Sequence, residues 1–246
     1  MRRSGFLLDN SSVIPLYYQL KQILREKIKS GEWGSHDLIP SESQLAQQYG
    51  VSRATTRRAL DDLTREGLFY RQQGRGTFVS PPKIIQGLSR FYSFSRDMEN
   101  KGLKPRSQVV YLHEVKAGAK VKKTLNLADG STVYELKRLR LVGDEPIILE
   151  TSWLPAELFQ GLTVEDVENH SLYDLMENVY GVLPVNAEEY LEPVCVDEYE
   201  SMMLGVPVGT PALLLKRVAY DEKERTVELC KSIVRGDKCK YHVRLP

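Results

Sequence analysis

The sequence predicts an α+β protein in two parts, a small helical N-terminal unit closed by a hairpin and a larger C-terminal unit built on a mostly antiparallel sheet. Three observations point that way. Before Gly67 the apolar residues recur three to four apart, the helical period, and Gly74 and Gly76 then separate a pair of short β-like runs. Beyond residue 88 there are seven β-like runs and four short helical ones, and turn residues at Gly143-Asp144 and Asp221 to Glu224 join consecutive β runs directly, as antiparallel neighbours require. Between the halves stands Ser80-Pro81-Pro82-Lys83, where paired prolines stop either kind of element. The expected division is residues 1–79, a linker over 80–87, and residues 88–246.

The 246 residues are 41% hydrophobic and 27% charged, enough apolar material for two cores. No run approaches a membrane span and the opening MRRSGFLLDN lacks the apolar core of a secretory signal, so a cytoplasmic protein with no membrane partner is expected. Cys195, Cys230 and Cys239 are odd in number and show no CxxC or Cys/His spacing, which suggests neither a disulfide framework nor a zinc site. His36, His113, His170 and His242 are scattered, and no Ser/His/Asp or Cys/His set is recognisable; no catalytic residue, metal or cofactor is expected. Net charge is +1, yet residues 1–80 hold twelve Lys/Arg against eight Asp/Glu. The basic excess is thus confined to the first unit, the distribution expected of a nucleic-acid-contacting module joined to a neutral one.

Residues 1–12 read as a loose polar arm. Pro15 opens an amphipathic helix through Leu16, Leu20, Ile23, Leu24 and Ile28 that ends before Gly31, with Lys21, Arg25 and Lys29 on a solvated face. Ser41, followed three residues on by Gln44, is a capping-box start for a short helix with Leu45, Ala46 and Tyr49 inward, and Gly50 supplies the left-handed residue that ends it. Ser52 caps a second helix with Thr55 or Thr56, Ala59, Leu60 and Leu63 buried. Arg53, a threonine, Arg57 and Arg58 stay exposed at its front. Two helices across a tight turn, with arginines early in the second, match the geometry by which a helix-turn-helix meets base edges, and a guanidinium fork can satisfy O6 and N7 of one guanine. Leu68–Gln72 and Thr77–Val79 then form a wing around Gly74-Arg75-Gly76. The expected DNA contacts are Ser41 and Ser43 on the first of these helices, Ser52, Arg53, Thr55, Thr56 and Arg57 on the second, and Arg75 and Gly76 in the wing.

From Ile39 to Val79 the chain resembles the DNA-binding domain of the GntR family of bacterial transcription regulators. The pieces are Pro40-Ser41-Glu42, Gly50-Val51-Ser52-Arg53, Glu66-Gly67-Leu68 and Gly74-Arg75-Gly76-Thr77-Phe78-Val79. Ser35-His36 stands where that family often has Pro-Gly, and a local change in that loop is expected.

In the second unit strands are predicted at Val109–Lys116, Thr132–Val142, Pro146–Trp153, Val185–Val194, Ala212–Tyr220, Thr226–Arg235 and Lys240–Leu245, and helices at Ser95–Asn100, Lys120–Leu125, Ser171–Val179 and Asp197–Leu204. This half resembles the effector-binding domain called UTRA, which accompanies the GntR branch named after a histidine-utilisation repressor. The matching pieces are Ser93-Phe94-Ser95, Lys137-Arg138-Leu139-Arg140, Leu149-Glu150, Ser171-Leu172-Tyr173, Val227-Glu228 and Arg235-Gly236-Asp237. The resemblance implies a chorismate-lyase-like fold that binds a small molecule, and homodimerisation through this domain.

Arg138 and Arg140, two apart on a strand, share a face with Tyr134, Leu136 and Val142, while Val133, Leu139 and Leu141 make the other face equally apolar. Periodicity leaves open which face is inward, and whether the pair is solvated, internally salt-bridged or matched to an anion. Ser93, Ser95 and Ser171 precede helices, where they either cap or help bind an anion. Glu150 and Glu228 sit in apolar strands, with Ser232 on the face of Glu228; they could accept from sugar hydroxyls or face solvent. Together with Phe94 and Tyr173 these are the expected effector residues, and Asp237 and Tyr241 are weaker candidates. The function expected is a DNA-binding regulator, a repressor whose homodimer holds a two-fold operator and is released by a small anionic effector such as a phosphorylated sugar or amino sugar. The alternatives are an enzyme on a lyase-like fold carrying a DNA-binding appendage, or a regulator responding to an amino acid derivative or organic acid.

Overall fold

The structure, a computed structural model, describes residues 8–87 and 93–244. Residues 1–7 of the expected arm, residues 88–92 and the final Leu245 of the last predicted strand lie outside the described residues. The chain divides into two compact units between Ile84 and Ile85.

In the first unit, α1 (Leu16–Lys29), α2 (Glu42–Tyr49) and α3 (Arg53–Arg65) pack with β1 (Phe69–Gln72) and β2 (Gly76–Val79) around Leu20, Leu24, Leu45, Leu60, Leu63 and Phe69. Truncating a leucine buried this completely costs about 2–5 kcal/mol. The capping box of α2 is formed: Gln44 N donates to Ser41 Oγ at 3.3 Å and Ser41 N to Gln44 Oε1 at 2.8 Å. Gly50 ends the helix at φ 65°, a left-handed conformation that glycine adopts without a Cβ penalty. Residues 9–14 are not a loose arm. Asp9 N donates to Gln19 Oε1 and Gln19 Nε2 to Asp9 O, each at 2.9 Å, which pins the turn onto α1.

The basic face of α1 is also more committed than a solvated face. Lys21 and Arg25 both pair with Glu66 just beyond α3, and Lys29 alone of the three stays mostly exposed, paired with Glu26. Burial pushes the Glu66 carboxyl up, but the hydrogen bonds from Lys21 and Arg25 prevail and hold it below its ordinary value. At Ser35-His36 the backbone keeps the shape a glycine would give: His36 has φ 70° and its Nδ1 lies 3.2 Å from the Tyr70 hydroxyl.

In the second unit a six-stranded antiparallel sheet runs in the order β4-β5-β6-β9-β8-β7. Its strands are β4 (Pro105–Lys116), β5 (Thr132–Val142), β6 (Glu145–Pro155), β7 (Pro184–Cys195), β8 (Pro211–Asp221) and β9 (Thr226–Arg235). It is two three-stranded meanders joined along β6 and β9, so those two strands are central. Helices α4 (Phe94–Asn100), α5 (Ala119–Thr124), α6 (Val164–Asn169), α7 (Leu172–Asn178) and α8 (Glu198–Leu204) complete it.

Both sheet faces are covered. Leu172, Leu175 and Met176 of α7 pack on Tyr134, Leu136, Leu154 and Ala219, while Leu204 of α8 packs on the opposite face, on Leu139, Leu141, Leu149 and Ile233. Three elements were absent from the sequence reading, among them a 3-10 turn at Ala156–Leu158. Helix α6 opens on a capping box between Thr163 and Asp166. Ile84–Gly87, placed in the linker, is instead a strand, β3, paired with β10 (Cys239–His242); Ser80–Lys83 alone is left without strand or helix.

Candidate functional site

The front of α3 presents Arg53, Arg57 and Arg58 to the exterior, with Ser52 Oγ accepting from Thr55 N at 3.0 Å. Thr55 is half exposed. Thr56 is not a surface residue: it is fully buried and its Oγ1 donates to Ser52 O at 3.3 Å. Of the two threonines the helix turns Thr56 into the core beside Ala59 and Leu60, so its expected DNA contact is corrected.

Ser41 and Ser43 are exposed at the start of α2. Beside them Glu42 accepts from Arg57 Nε at 3.0 Å and from Arg71 Nη2 at 3.4 Å, and Arg71 also reaches Asp61 at 2.7 Å. One carboxylate thus orients an arginine of α3 and one of the wing strand. Arg58 lies 3.8 Å above the Tyr17 ring. In the wing, Arg75 N donates to Gln72 O at 3.0 Å, and Gly76 at φ 123° brings the backbone so near Leu38 that an added Cβ would stand 2.7 Å from Cδ1.

The second site lies on the α4/α7 side of the central strands. Residues opposite one another on neighbouring strands share a face, and the register aligns Arg138, Glu150, Ser232 and Leu215 in one row and Ser152, Cys230, Arg217 and Glu189 in the next. Helix starts cover the rows from above, leaving a small cavity of about 40 Å³ bordered by Ser93, Phe94, Arg138, Arg140, Glu150, Ser171, Tyr173, Glu228 and Ser232, together with Gln86, Arg217, Cys230 and Tyr241. The inward face of the arginine strand is therefore the face toward this cavity.

The cavity is crowded with charge. Arg138 and Arg140 are 2% and 4% exposed. Arg138 Nη2 bonds Glu150, whose carboxylate lies 3.6 Å from Arg140 Nη1; Arg140 Nη2 donates to Ser95 Oγ at 3.0 Å and its guanidinium sits 4.8 Å from the Phe94 ring centre. Three buried guanidinium nitrogens, Nε and Nη1 of Arg138 and Nε of Arg140, have no partner. Burial, and after it the neighbouring Arg138 charge, push Arg140 down to about 10. Burial would raise the Glu150 carboxyl, yet Arg138 and Arg140 hold it below its ordinary value.

Glu228, also buried, accepts from Ser152 Oγ at 2.7 Å and from the Tyr173 hydroxyl at 2.6 Å, and Arg217 Nη1 donates to that hydroxyl at 3.1 Å. Burial, then Glu150 and Glu228, keep the Cys230 thiol protonated well above its ordinary range. Ser93 and Ser171 hold the N-cap positions of α4 and α7 through their backbone carbonyls alone. Neither makes a side-chain cap bond, and their hydroxyls instead meet at 3.2 Å across the cavity roof. A second pocket of about 260 Å³ adjoins this roof, sharing Ser93 and Tyr173, and Arg96 of α4 bridges to Asp174 and Glu177 of α7 beside it.

Asp237 does not reach the cavity. It is bound by Arg235, which also donates to Pro146 O at 2.9 Å, so this motif clamps the end of β9. His170 is exposed, its Nδ1 3.2 Å from Asp166 O. Arg217 and Gln86 were missed by sequence reasoning. Arg217 stands on the alternating face of Leu215 and Ala219, a weak signal; Gln86 carried none. Among the described residues no group of three or more His, Cys, Asp or Glu could hold a metal ion, and no helix is long and apolar enough to cross a membrane.

Two family patterns match the chain: bacterial regulatory proteins, gntR family, over residues 16–79, and the UTRA domain over residues 100–240. The HTH-type transcriptional repressor NagR of Bacillus subtilis (strain 168) is 37% identical over 232 residues, 94% of this chain and 95% of its own. The histidine utilization repressor of Pseudomonas aeruginosa is 32% identical over 203 residues, covering 82% of this chain and 80% of its own. Among solved structures, PhnF from Mycobacterium smegmatis superposes with a TM-score of 0.65 at 29% identity, over 92% of this chain and 99% of that one. A basic helix-turn-helix head and a charged cavity on a separate antiparallel sheet are what such regulators use to bind operator DNA and a small-molecule effector, and the chain belongs to the gntR family of bacterial transcription regulators, in the branch that carries a UTRA domain.

Proposed function

We propose that this protein is a repressor that holds a two-fold operator as a homodimer and releases it when a small anionic metabolite of the sugar phosphate class enters the cavity of the second unit. The observation that carries the reading is the set of three unpartnered guanidinium nitrogens on Arg138 and Arg140. Buried donors of this kind are costly unless matched, and Glu150 is a single carboxylate shared by two arginines. A phosphate supplies both the charge and the acceptors. Glu228 and Glu150 keep lone pairs able to accept from hydroxyls, which favours a sugar over a bare anion.

The cavity of about 40 Å³ has room for only a few waters, at the roughly 10–15 Å³ that each needs. A sugar phosphate therefore has to part the Ser93–Ser171 roof. Doing so joins the cavity to its neighbour and reaches the roughly 300 Å³ at which ordinary ligand sites begin. Parting the roof displaces α4, which follows β3 and the Ser80–Lys83 segment in the chain. That gives the effector different affinities for two arrangements of the protein, the requirement for coupling. The test is thermal denaturation of the whole chain: glucosamine 6-phosphate is expected to raise the midpoint by mass action and glucosamine to leave it unchanged. Equal shifts with both, or none with either, would count against an anion site.

On the DNA side, Arg53 and Arg57 are proposed to read base edges, Ser41, Ser43, Ser52 and Thr55 to contact the backbone beside them, and Arg75 with Gly76 to enter the adjoining minor groove. Arg53→Ala is expected to remove about 1–3 kcal/mol of binding to a duplex that the protein itself selects from a random pool. Thr56→Val is expected to cost about 1 kcal/mol of stability and leave that binding unchanged. Fluorescence anisotropy run beside thermal denaturation separates the two; a Thr56→Val protein that is stable but weak on DNA would return Thr56 to the interface.

A further inference from the structure

Gln86, like Tyr241, is a wall residue of the cavity that comes from outside the six-stranded sheet and its helices. It is 1% exposed, it borders the cavity together with Arg138 and Arg140, and its Nε2 has no hydrogen-bond partner. A buried amide that donates to nothing loses the water it had in the unfolded chain and gains no replacement. Its position says which group could replace that water, since Gln86 borders the same cavity as Arg138 and Arg140, which carry the three unpartnered guanidinium nitrogens.

The strand bearing Gln86 is unlike the others lining the cavity. β3 has four residues and pairs with β10 alone, and Tyr241 of β10 borders the cavity as well. An isolated two-stranded pair is marginal by itself, so a new hydrogen bond to its inward side chain can shift it where the central strands β6 and β9 stay in place. Two residues before Gln86 the strand begins, and Ser80-Pro81-Pro82-Lys83 precedes it directly.

We propose that Gln86 senses effector occupancy: Nε2 donates a hydrogen bond to an oxygen of the bound anion, and that bond ties occupancy to the position of β3 and so to the proline segment beside it in the chain. Gln86 is on this account a positioning residue for operator release as well as a ligand contact. The inference rests on the anion reading of the cavity given above.

The experiment compares the wild-type chain with Gln86→Met, which keeps the length and volume of the side chain without its amide, and with Gln86→Asn, which withdraws the amide by one methylene. Affinity for glucosamine 6-phosphate is measured by calorimetry, and release of the self-selected duplex by anisotropy at saturating sugar phosphate. Both variants are expected to bind the sugar phosphate about tenfold more weakly and, once saturated, to hold the duplex as tightly as the unliganded protein does. A side chain that only filled space would leave release at saturation intact, so either variant releasing the duplex as wild type does at saturation overturns the proposal. If wild type binds neither glucosamine 6-phosphate nor inorganic phosphate, the anion reading fails and this inference with it; if wild type binds and releases while the variants also release, the role of Gln86 alone fails.

Discussion

Glu150→Gln is expected to cost the second unit about 3–5 kcal/mol, because it removes the carboxylate that both Arg138 and Arg140 contact and leaves two buried charges uncompensated. The same residue sets a pH dependence. Its carboxyl is held below the ordinary value of 4.5 in the folded protein, so its contribution is present above about pH 4.5 and is lost as pH falls through the folded value. In the variant that acid-dependent component is expected to be missing. Inorganic phosphate should stabilise Glu150→Gln more than it stabilises wild type, since the anion then meets two guanidiniums with no internal competitor. Thermal melts from pH 7 down to about 2.5, with and without phosphate, check all three. A variant as stable as wild type, or one indifferent to phosphate, would show that the arginines are satisfied in some other way.

Arg140→Met is expected to weaken sugar phosphate binding about 100-fold, the loss of one or two charge-assisted hydrogen bonds of about 1.5–3 kcal/mol each. Stability should move the other way. Burial and Arg138 both disfavour the Arg140 charge, and an apolar side chain of similar length in place of a buried ion is often neutral or stabilising. Arg138 keeps Glu150 as its partner in the variant. The combination of a melt at or above wild type with a lost ligand response is one that general damage to the fold does not produce. Calorimetry against glucosamine 6-phosphate, with operator binding measured in the absence of ligand, distinguishes it; retained sugar phosphate affinity would remove Arg140 from the anion site.

Legibility from sequence followed the range of the interactions involved. The capping box at Ser41, the left-handed Gly50, the Ser52 cap and the wing glycines act within a few residues, and each stands where its local signal put it. Thr55 and Thr56 could not be separated because both flank the apolar stripe of α3, and the choice is made by packing against Ala59 and Leu60. The arginine strand resisted for another reason: α7 covers one sheet face and α8 the other, so alternation between buried and exposed is lost from Arg138 to Leu141.

β3 has too few residues for a pattern, and its stability comes from β10 at the far end of the chain. Arg217 is adjacent to Lys216, and alternation with Leu215 and Ala219 is too weak a signal to say which of the two turns inward. The register does say it, by placing Arg217 opposite Cys230 in the row that reaches Ser152. By contrast α6 carried a legible Thr163–Asp166 capping box.

The measurement that bears most directly on the central claim is release of DNA by the effector class. The wild-type chain is bound to a fluorescent duplex that it has selected from a random pool, and glucosamine 6-phosphate, glucosamine and inorganic phosphate are titrated in turn while anisotropy is followed. The sugar phosphate is expected to dissociate the complex, inorganic phosphate to do so weakly and only at far higher concentration, and glucosamine to have no effect. A complex that persists through glucosamine 6-phosphate and the other phosphorylated sugars, or that glucosamine dissociates equally well, would contradict an anion-released repressor built around Arg138, Arg140 and Glu150.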